Sequence, residues 1–576
     1  MSSDPRRNGA LRRFLQTVRP DCEEAMNFNP RGIVILFALA WIGLLASAYF
    51  EPIDHGYIRY SAIAEAMVRS GDWIVPRHGG EIYVLKPPLF VWITALPIAA
   101  FGRVTEWASH LAPILGGAFS LAATYRLGAR IQDDRKAGIL AALILLSIPE
   151  FATEWRGERI DPLFGGLFAL AMDALHESFQ RSREGRATLG ASLRAGIFLG
   201  LATLTKGPIA IAFLAVLLVT FVIVGRRTKC STPAISWVPL ALATIAVALP
   251  WPILFLTRMG WSEAWKSVGE ADFATRDAPP WIYITSLPAA LGAWILFVPA
   301  LVGRIRRAIS SIDRFTLCWF LGPFLALHVS SARHVRYLAP ILPALAVLIA
   351  GVVWSAVGDE FVVRSTRFAG RCIAALATLG GSLGVVAVIV DRLGVRAWLD
   401  TGMRLTPFAI ILASVFLVVA SLKLSRRANR LQLECEPRAI TRDTRKIAVS
   451  IAALTVVVFG AKDVLDAERF ALHDARPAII GALASVSTID PLVCVGLEPH
   501  EIDMIACLAR RDVRECESAD LVEALMTPVG GVSIVARDRD WQRVEECTAI
   551  RIGETRRFSA WKDRGYVVSR IERVGD

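Results

Sequence analysis

The chain has 576 residues, 54% of them hydrophobic and only 20% charged, with a mean hydropathy of +0.48. A soluble chain of this size needs a more polar surface to stay dispersed, so a soluble globular protein is excluded. The formal net charge of +12 does not point to nucleic acid. The basic residues sit in short connections between apolar blocks, where positive charge fixes orientation in a lipid bilayer.

Residues 1–30 carry several Arg but no signal-peptide core or small-residue cleavage site, and read as a cytoplasmic N-terminal segment. Beyond them the apolar residues fall in uncharged blocks, among them Gly32 to Phe50, Pro208 to Gly225 and Leu338 to Trp354. Blocks of about 17–20 residues, at roughly 1.5 Å per residue, cover a ~30 Å hydrocarbon layer. Basic clusters recur at Arg126 to Lys136, Arg181 to Arg194, Arg226 to Lys229, Arg304 to Arg314, Arg364 to Arg371 and Lys423 to Lys446. Placing each cluster inside predicts thirteen spans. They fall near 33–50, 108–128, 137–151, 161–176, 193–205, 208–225, 236–257, 281–302, 315–330, 337–355, 372–390, 407–424 and 446–460, and the odd number puts the C-terminus outside. The block Pro88 to Gly102 is short and interrupted by Pro97. It reads as a juxtamembrane or re-entrant helix of the large first external loop, 51–107. Within that loop, Ser61 to Arg69 is an amphipathic helix suited to lie in the headgroup interface.

The region 474–576 changes character. PLVCVGL, HEIDMIACLARR, SADLVEALM and GVSIVAR alternate strand with helix, which predicts a small α/β domain on the external side. It lacks a glycine-rich phosphate loop. Its four cysteines, Cys494, Cys507, Cys516 and Cys547, allow three disulfide pairings or buried free thiols, and their spacing does not choose. No CxxC or His/Cys cluster points to structural zinc, so neither a metal nor a cofactor is assigned.

Ionisable groups at the membrane edge are costly, so their positions carry information. RYSAIAEAMVRSGDWIVPR followed by KPPLFVWITALPIAAFG resembles the first periplasmic loop of the bacterial undecaprenyl-phosphate aminoarabinose (lipid A) transferases. These belong to the GT-C superfamily, with the protein mannosyltransferases and the RgtA/B/C/D-like transferases. ERIDPLF (158–164), GLATLTKGP (200–208), PW (250–251), WIYITSLPAALGAW (281–294) and SSARHVRYLAPILPALAVL (330–348) follow in the family's order, so the similarity covers about 31–355. The resemblance implies an all-α polytopic GT-C bundle, 31–460, with an extracytoplasmic C-terminal domain, in the inner (plasma) membrane. It implies inverting transfer of a sugar from a polyprenyl-phosphate carrier to an external acceptor, lipid A or another envelope glycan or glycolipid. Such chemistry needs a carboxylate near the acceptor nucleophile and cations around the departing phosphate.

The family's acidic pair before RY falls on Gly56 and Tyr57, with Asp54 and Glu51 the nearest acids. Either a shifted loop brings Asp54 into the catalytic place, which is the assignment made, or the base is missing. Asp161 matches the second acidic position, and Asp161-Pro162 also reads as a helix N-cap followed by Pro. Lys86 matches the phosphate-contacting Lys, or it snorkels at the interface; Leu85 stands where the family has Glu. Arg59, Lys206, Arg333, Arg336 and Tyr337 complete the expected donor-phosphate set, with Arg276 a weaker candidate. The competing readings are a lipid-linked-sugar flippase or transporter, which internal repeats would favour and none are seen, and a catalytically inactive GT-C-like membrane protein.

Overall fold

A computed structural model describes residues 58–154, 157–228, 235–262, 278–279, 281–308, 313–330, 333–355, 360–392, 418–429, 439, 441–456, 476–485, 490–511, 513–516, 532–546, 550–560 and 564–573. The first apolar block, Glu51, Asp54 and Arg276 lie outside the described residues.

The chain is mostly helical. The first loop contributes α1 (Arg59–Ser70), a two-residue-per-strand hairpin of β1 (Arg77–His78) and β2 (Glu81–Ile82), and α2 (Leu89–Phe101). The bundle follows as α3 (Glu106–Gln132), α4 (Arg135–Leu146), a short α5 (Pro149–Glu154), α6 (Ile160–Arg183), α7 (Leu189–Lys206) and α8 (Ile209–Thr228). Then come α9 (Trp237–Ala248), α10 (Pro250–Met259), α11 (Ile282–Leu291), α12 (Val298–Ala308), α13 (Arg314–Val329), α14 (Leu342–Trp354) and α15 (Glu360–Arg392), with helical stretches at 418–429 and 441–456. Among the described residues, Ile209–Arg226, Trp237–Met259 and Ile282–Arg306 are long and apolar enough to cross a membrane. Leu89–Phe101, Arg314–Val329 and Leu342–Trp354 are shorter apolar helices.

Several expected spans are not single straight helices. Pro250 closes α9 and opens α10, and the run after α11 passes through a 3₁₀ turn, Gly292–Phe297, before α12. A second 3₁₀ turn, Val335–Leu338, precedes α14, where Pro340 and Pro343 deny backbone donors. Small residues set the closest packing. A Cβ on Gly166 would lie 2.1 Å from the carbonyl oxygen of Gly116, so α3 and α6 cross at backbone contact. One residue earlier, a Cβ on Gly165 would meet the Ala339 backbone at 3.2 Å. The indole of Trp319, fully buried on α13, donates to the Pro340 carbonyl at 3.0 Å and holds that same turn. The 3₁₀ turn is thereby pressed onto the start of α6.

The described C-terminal residues form α16 (Arg476–Leu483), β3 (Leu492–Val495), α17 (Pro499–Ala509), β4 (Val513–Cys516), β5 (Val532–Arg537), α18 (Asp538–Glu545), β6 (Ile550–Ala560) and β7 (Arg564–Arg573). The sheet order is β4-β3-β5-β7-β6, parallel across β4, β3 and β5 and antiparallel through β7 and β6. Glu498 and Glu501 form a capping box at α17, and Glu501 also accepts from the buried Tyr566 hydroxyl at 2.7 Å. Cys507 is a buried free thiol, and Cys494 is buried in β3.

The apolar face of the amphipathic helix α1 packs against protein. Its Ile63, Ala64 and Met67 pack against Val91, Ala95 and Ile98 of α2, while Ile58 and Ala62 pack with Ile479, Ile502 and Ile505 of the C-terminal region. Polar links reinforce that contact. His78 shares a hydrogen bond with Asp503 of α17, and Arg510 lies 3.8 Å from Glu65. An apolar stripe in a sequence does not say whether lipid or protein will cover it, and here protein covers it from two sides.

Candidate functional site

The site is built around Asp161, only 2% exposed in the first turn of α6. The helix is capped by Arg159, so Asp161 is not its N-cap as the Asp-Pro pair implied. Freed from capping, its carboxylate takes cations from two other elements. Lys206, the last residue of α7, donates its ammonium to Oδ1, and Arg336 Nε stands 3.4 Å from Oδ2. Lys206 also lies over the Tyr337 ring, 3.9 Å from its centroid, and 5.6 Å from that of Phe164. Gly207, at φ +80°, turns the chain sharply after Lys206 and leaves the ammonium at the helix end. Three segments far apart in sequence therefore meet on one carboxylate.

Lys86 faces the same group. Burial draws its pKa below the ordinary lysine value, repulsion from Lys206 and Arg336 acts the same way, and Asp161 opposes them. Among the described residues Lys86 makes no ion pair of its own. Glu150 and Glu154 of α5 supply an acidic rim. Burial raises the Glu154 carboxyl to about 7 even though the Arg159 guanidinium is bonded to it. Tyr60 of α1 interacts with both Asp161 and Tyr83, and burial raises the pKa of both phenols.

Of the residues singled out from sequence, Asp161, Lys206, Arg336 and Tyr337 converge, with Lys86 near enough to feel their charges. Arg59 stands apart and contacts Tyr83. Arg333 donates to the Ala278 carbonyl at 2.9 Å, so its guanidinium holds the adjoining 278–279 segment. Asp54 lies outside the described residues. Sequence reading passed over Glu150, Glu154, Arg159, Tyr60 and Tyr83, although the four acids in EFATEWRGERID were a visible signal. The PW motif proves to be an anchor: Trp251 donates to the Ile74 carbonyl at 2.9 Å, as Trp92 does to Trp73 at 2.8 Å. Among the described residues no group of three or more His, Cys, Asp or Glu is placed to hold a metal.

Residues 31–260 match the family described as dolichyl-phosphate-mannose-protein mannosyltransferase. An undecaprenyl phosphate-alpha-4-amino-4-deoxy-L-arabinose arabinosyl transferase 2 of Sodalis glossinidius is 32% identical over 339 residues, 55% of this chain and 59% of the relative. The corresponding transferase of Edwardsiella ictaluri is 28% identical over 369 residues, 62% of this chain and 64% of the relative. ArnT from Cupriavidus metallidurans, crystallised bound to undecaprenyl phosphate, shares the fold at a TM-score of 0.67 and 17% identity over 93% of this chain and 98% of its own. Its apo structure gives 0.68. In sequence and fold the chain is similar to the aminoarabinose transferases. The matched region spans 59% to 64% of the length of these two curated relatives. The similarity thus agrees with the resemblance carried by the loop motifs, and the fold is like that of ArnT.

Proposed function

We propose that this protein is an inner-membrane glycosyltransferase that moves a sugar from a polyprenyl-phosphate carrier to an external acceptor, with inversion at the anomeric carbon. The observation that carries the reading is the meeting of Asp161 with Lys206 and Arg336, with Lys86 facing them. Lys206 and Arg336 drawn onto one buried carboxylate, with Lys86 near it, form a cationic cluster that suits a phosphate. In the reaction the carrier's phosphate gains charge as the glycosidic C–O bond breaks. Lys86, Lys206 and Arg336 stabilise that charge, while Asp161 orients the two cations it pairs. Asp54 is assigned the general base that takes the proton from the acceptor nucleophile. The named ligand of the Cupriavidus ArnT structure, undecaprenyl phosphate, supports this donor class, and the relatives' names support transfer of an amino sugar. A glycolipid such as lipid A, or another envelope glycan, is the acceptor proposed. We further place the N-terminus in the cytoplasm, thirteen spans between 31 and 460, and 474–576 as an external domain.

The test incubates purified protein in vesicles with a labelled polyprenyl-phosphate sugar and a membrane glycolipid. Label appearing in the glycolipid supports the reading. Label that crosses the vesicle unchanged, or that binds without turnover, overturns it.

A further inference from the structure

The helix that carries Arg59 and Tyr60 begins with a defect. Its N-cap is Ile58, whose side chain accepts no hydrogen bond, so the first-turn N–H groups of α1 need an acceptor from elsewhere. That acceptor is Glu158, in the loop just before α6. Its carboxyl accepts from the Ser61 hydroxyl, and the nearby backbone N–H groups of Tyr60 and Ser61 favour its charged form. Ser61 in turn shares a 2.8 Å hydrogen bond with Ser109 of α3.

The location makes this more than a cap. Glu158 is 4% exposed, and its second oxygen has no hydrogen-bond partner among the described residues. Asp503 of α17 adds negative charge nearby, and burial holds the Glu158 carboxyl well above the usual carboxylate range. An acid so placed costs stability that an apolar residue would not, and local rules are broken in this way at functional positions. The same few residues also bind the other parts of the site. Arg159 is bonded to Glu154 of α5, and Asp161 is bonded to Lys206 of α7 and faces Arg336. A stretch of four residues thus fixes α1 at one end and the cation cluster at the other.

We propose that Glu158 is a positioning residue for transfer: its carboxyl fixes the start of α1, the helix that follows Asp54 in the chain. This rests on the transferase reading. Displacement of a reacting group by about 1 Å costs on the order of 100-fold in rate, so a loosened α1 acts on kcat while leaving the cations that hold the donor in place.

The experiment compares Glu158→Ala, Glu158→Gln and Ser61→Ala in the full chain. It measures transfer of labelled sugar from a polyprenyl-phosphate donor and amide hydrogen exchange in the peptide containing Tyr60 and Ser61. Loss of a helix cap raises local opening by roughly tenfold, so Glu158→Ala should exchange there about ten times faster. It should also lose kcat by at least about tenfold with donor KM within about threefold. Glu158→Gln still accepts from the amides and should restore protection and most of kcat; Ser61→Ala should fall between. Unchanged exchange and kcat in Glu158→Ala overturn the proposal, as does a loss confined to KM or a Gln variant as impaired as Ala. If Glu158→Ala does not fold, Glu158→Gln and Ser61→Ala decide, since each removes only part of the contact: a graded fall in kcat at constant KM supports the proposal, and wild-type kcat in both overturns it. Absence of transfer by the wild type would instead refute the transferase reading, and the exchange measurement would still report on the cap.

Discussion

Asp161 and Lys206, at the first turn of one helix and the last residue of the next, are joined by a hydrogen bond between ammonium and carboxylate in a nearly closed environment. Their side chains are 3% and 13% exposed. Breaking a buried pair costs about 3–5 kcal/mol because the surviving charge is left unpaired, though Arg336 softens the loss on the Asp161 side. Lys206→Met should therefore lower the unfolding midpoint in detergent, and Asp161→Asn should lower transfer by roughly 100-fold. The double variant should be less destabilised than the sum of the two, with a coupling of about 0.5–3 kcal/mol. Additive effects would mean that the two groups do not act on each other.

Lys86 and Arg333 should behave differently. Lys86 lies within electrostatic reach of the Asp161 cluster, whereas Arg333 is engaged with the Ala278 carbonyl. Hydrogen bonds to charged groups contribute about 1.5–3 kcal/mol, so Lys86→Ala should weaken polyprenyl-phosphate binding by about 10- to 100-fold. Arg333→Ala should change it by less than about threefold, since its guanidinium serves the loop. Calorimetric titration with the carrier phosphate checks both. A larger effect at Arg333 would shift the phosphate position toward the 278–279 loop.

Asp54→Asn should abolish transfer with expression and membrane insertion near those of the wild type. Turnover assays on matched amounts of purified protein measure this. Full activity in the variant would remove the assignment of Asp54 as base.

Glu154 should introduce a pH dependence near neutrality. Burial raises its carboxyl from 4.5 to about 7, against the pull of Arg159 and with help from the charges of Glu150 and Asp161. The folded chain then binds more protons than the unfolded chain between those values. Stability is full below pH 4.5 and is lost as pH rises toward 7, by on the order of 3 kcal/mol. Glu154→Gln should remove that slope, so its advantage over wild type should grow between pH 5 and pH 8 in thermal unfolding. Parallel curves would show that Glu154 does not titrate there.

Helix formation was legible because apolar blocks of bilayer length leave few alternatives. Pro208 to Gly225 became α8 almost residue for residue. In the C-terminal region, PLVCVGL holds β3, HEIDMIACLARR holds most of α17 and GVSIVAR holds β5, because period-2 and period-3.6 patterns differ locally. The breaks at Pro250 and Gly292 were harder to place, since proline is compatible with both a kinked span and two separate helices.

Side-chain partnership was less accessible. Asp161-Pro162 has the local form of a cap, and nothing near it announces that a lysine 45 positions on and an arginine still further will meet its carboxylate. Those distances close because Gly165 admits the Ala339 backbone and Gly207 ends α7 at the right place. The Glu158 cap of α1 was equally invisible, since capping is usually sought within a few residues of the helix start.

Sequence by itself determined that the chain carries apolar segments of bilayer length, where they lie, and which charged residues stand at their edges, because hydropathy and charge act through composition and spacing alone. Only the tertiary structure decided which of those edge charges face one another and that protein rather than lipid covers α1. Those outcomes depend on close approach between segments distant in the chain, and contact energies of that kind fall away within a few ångströms.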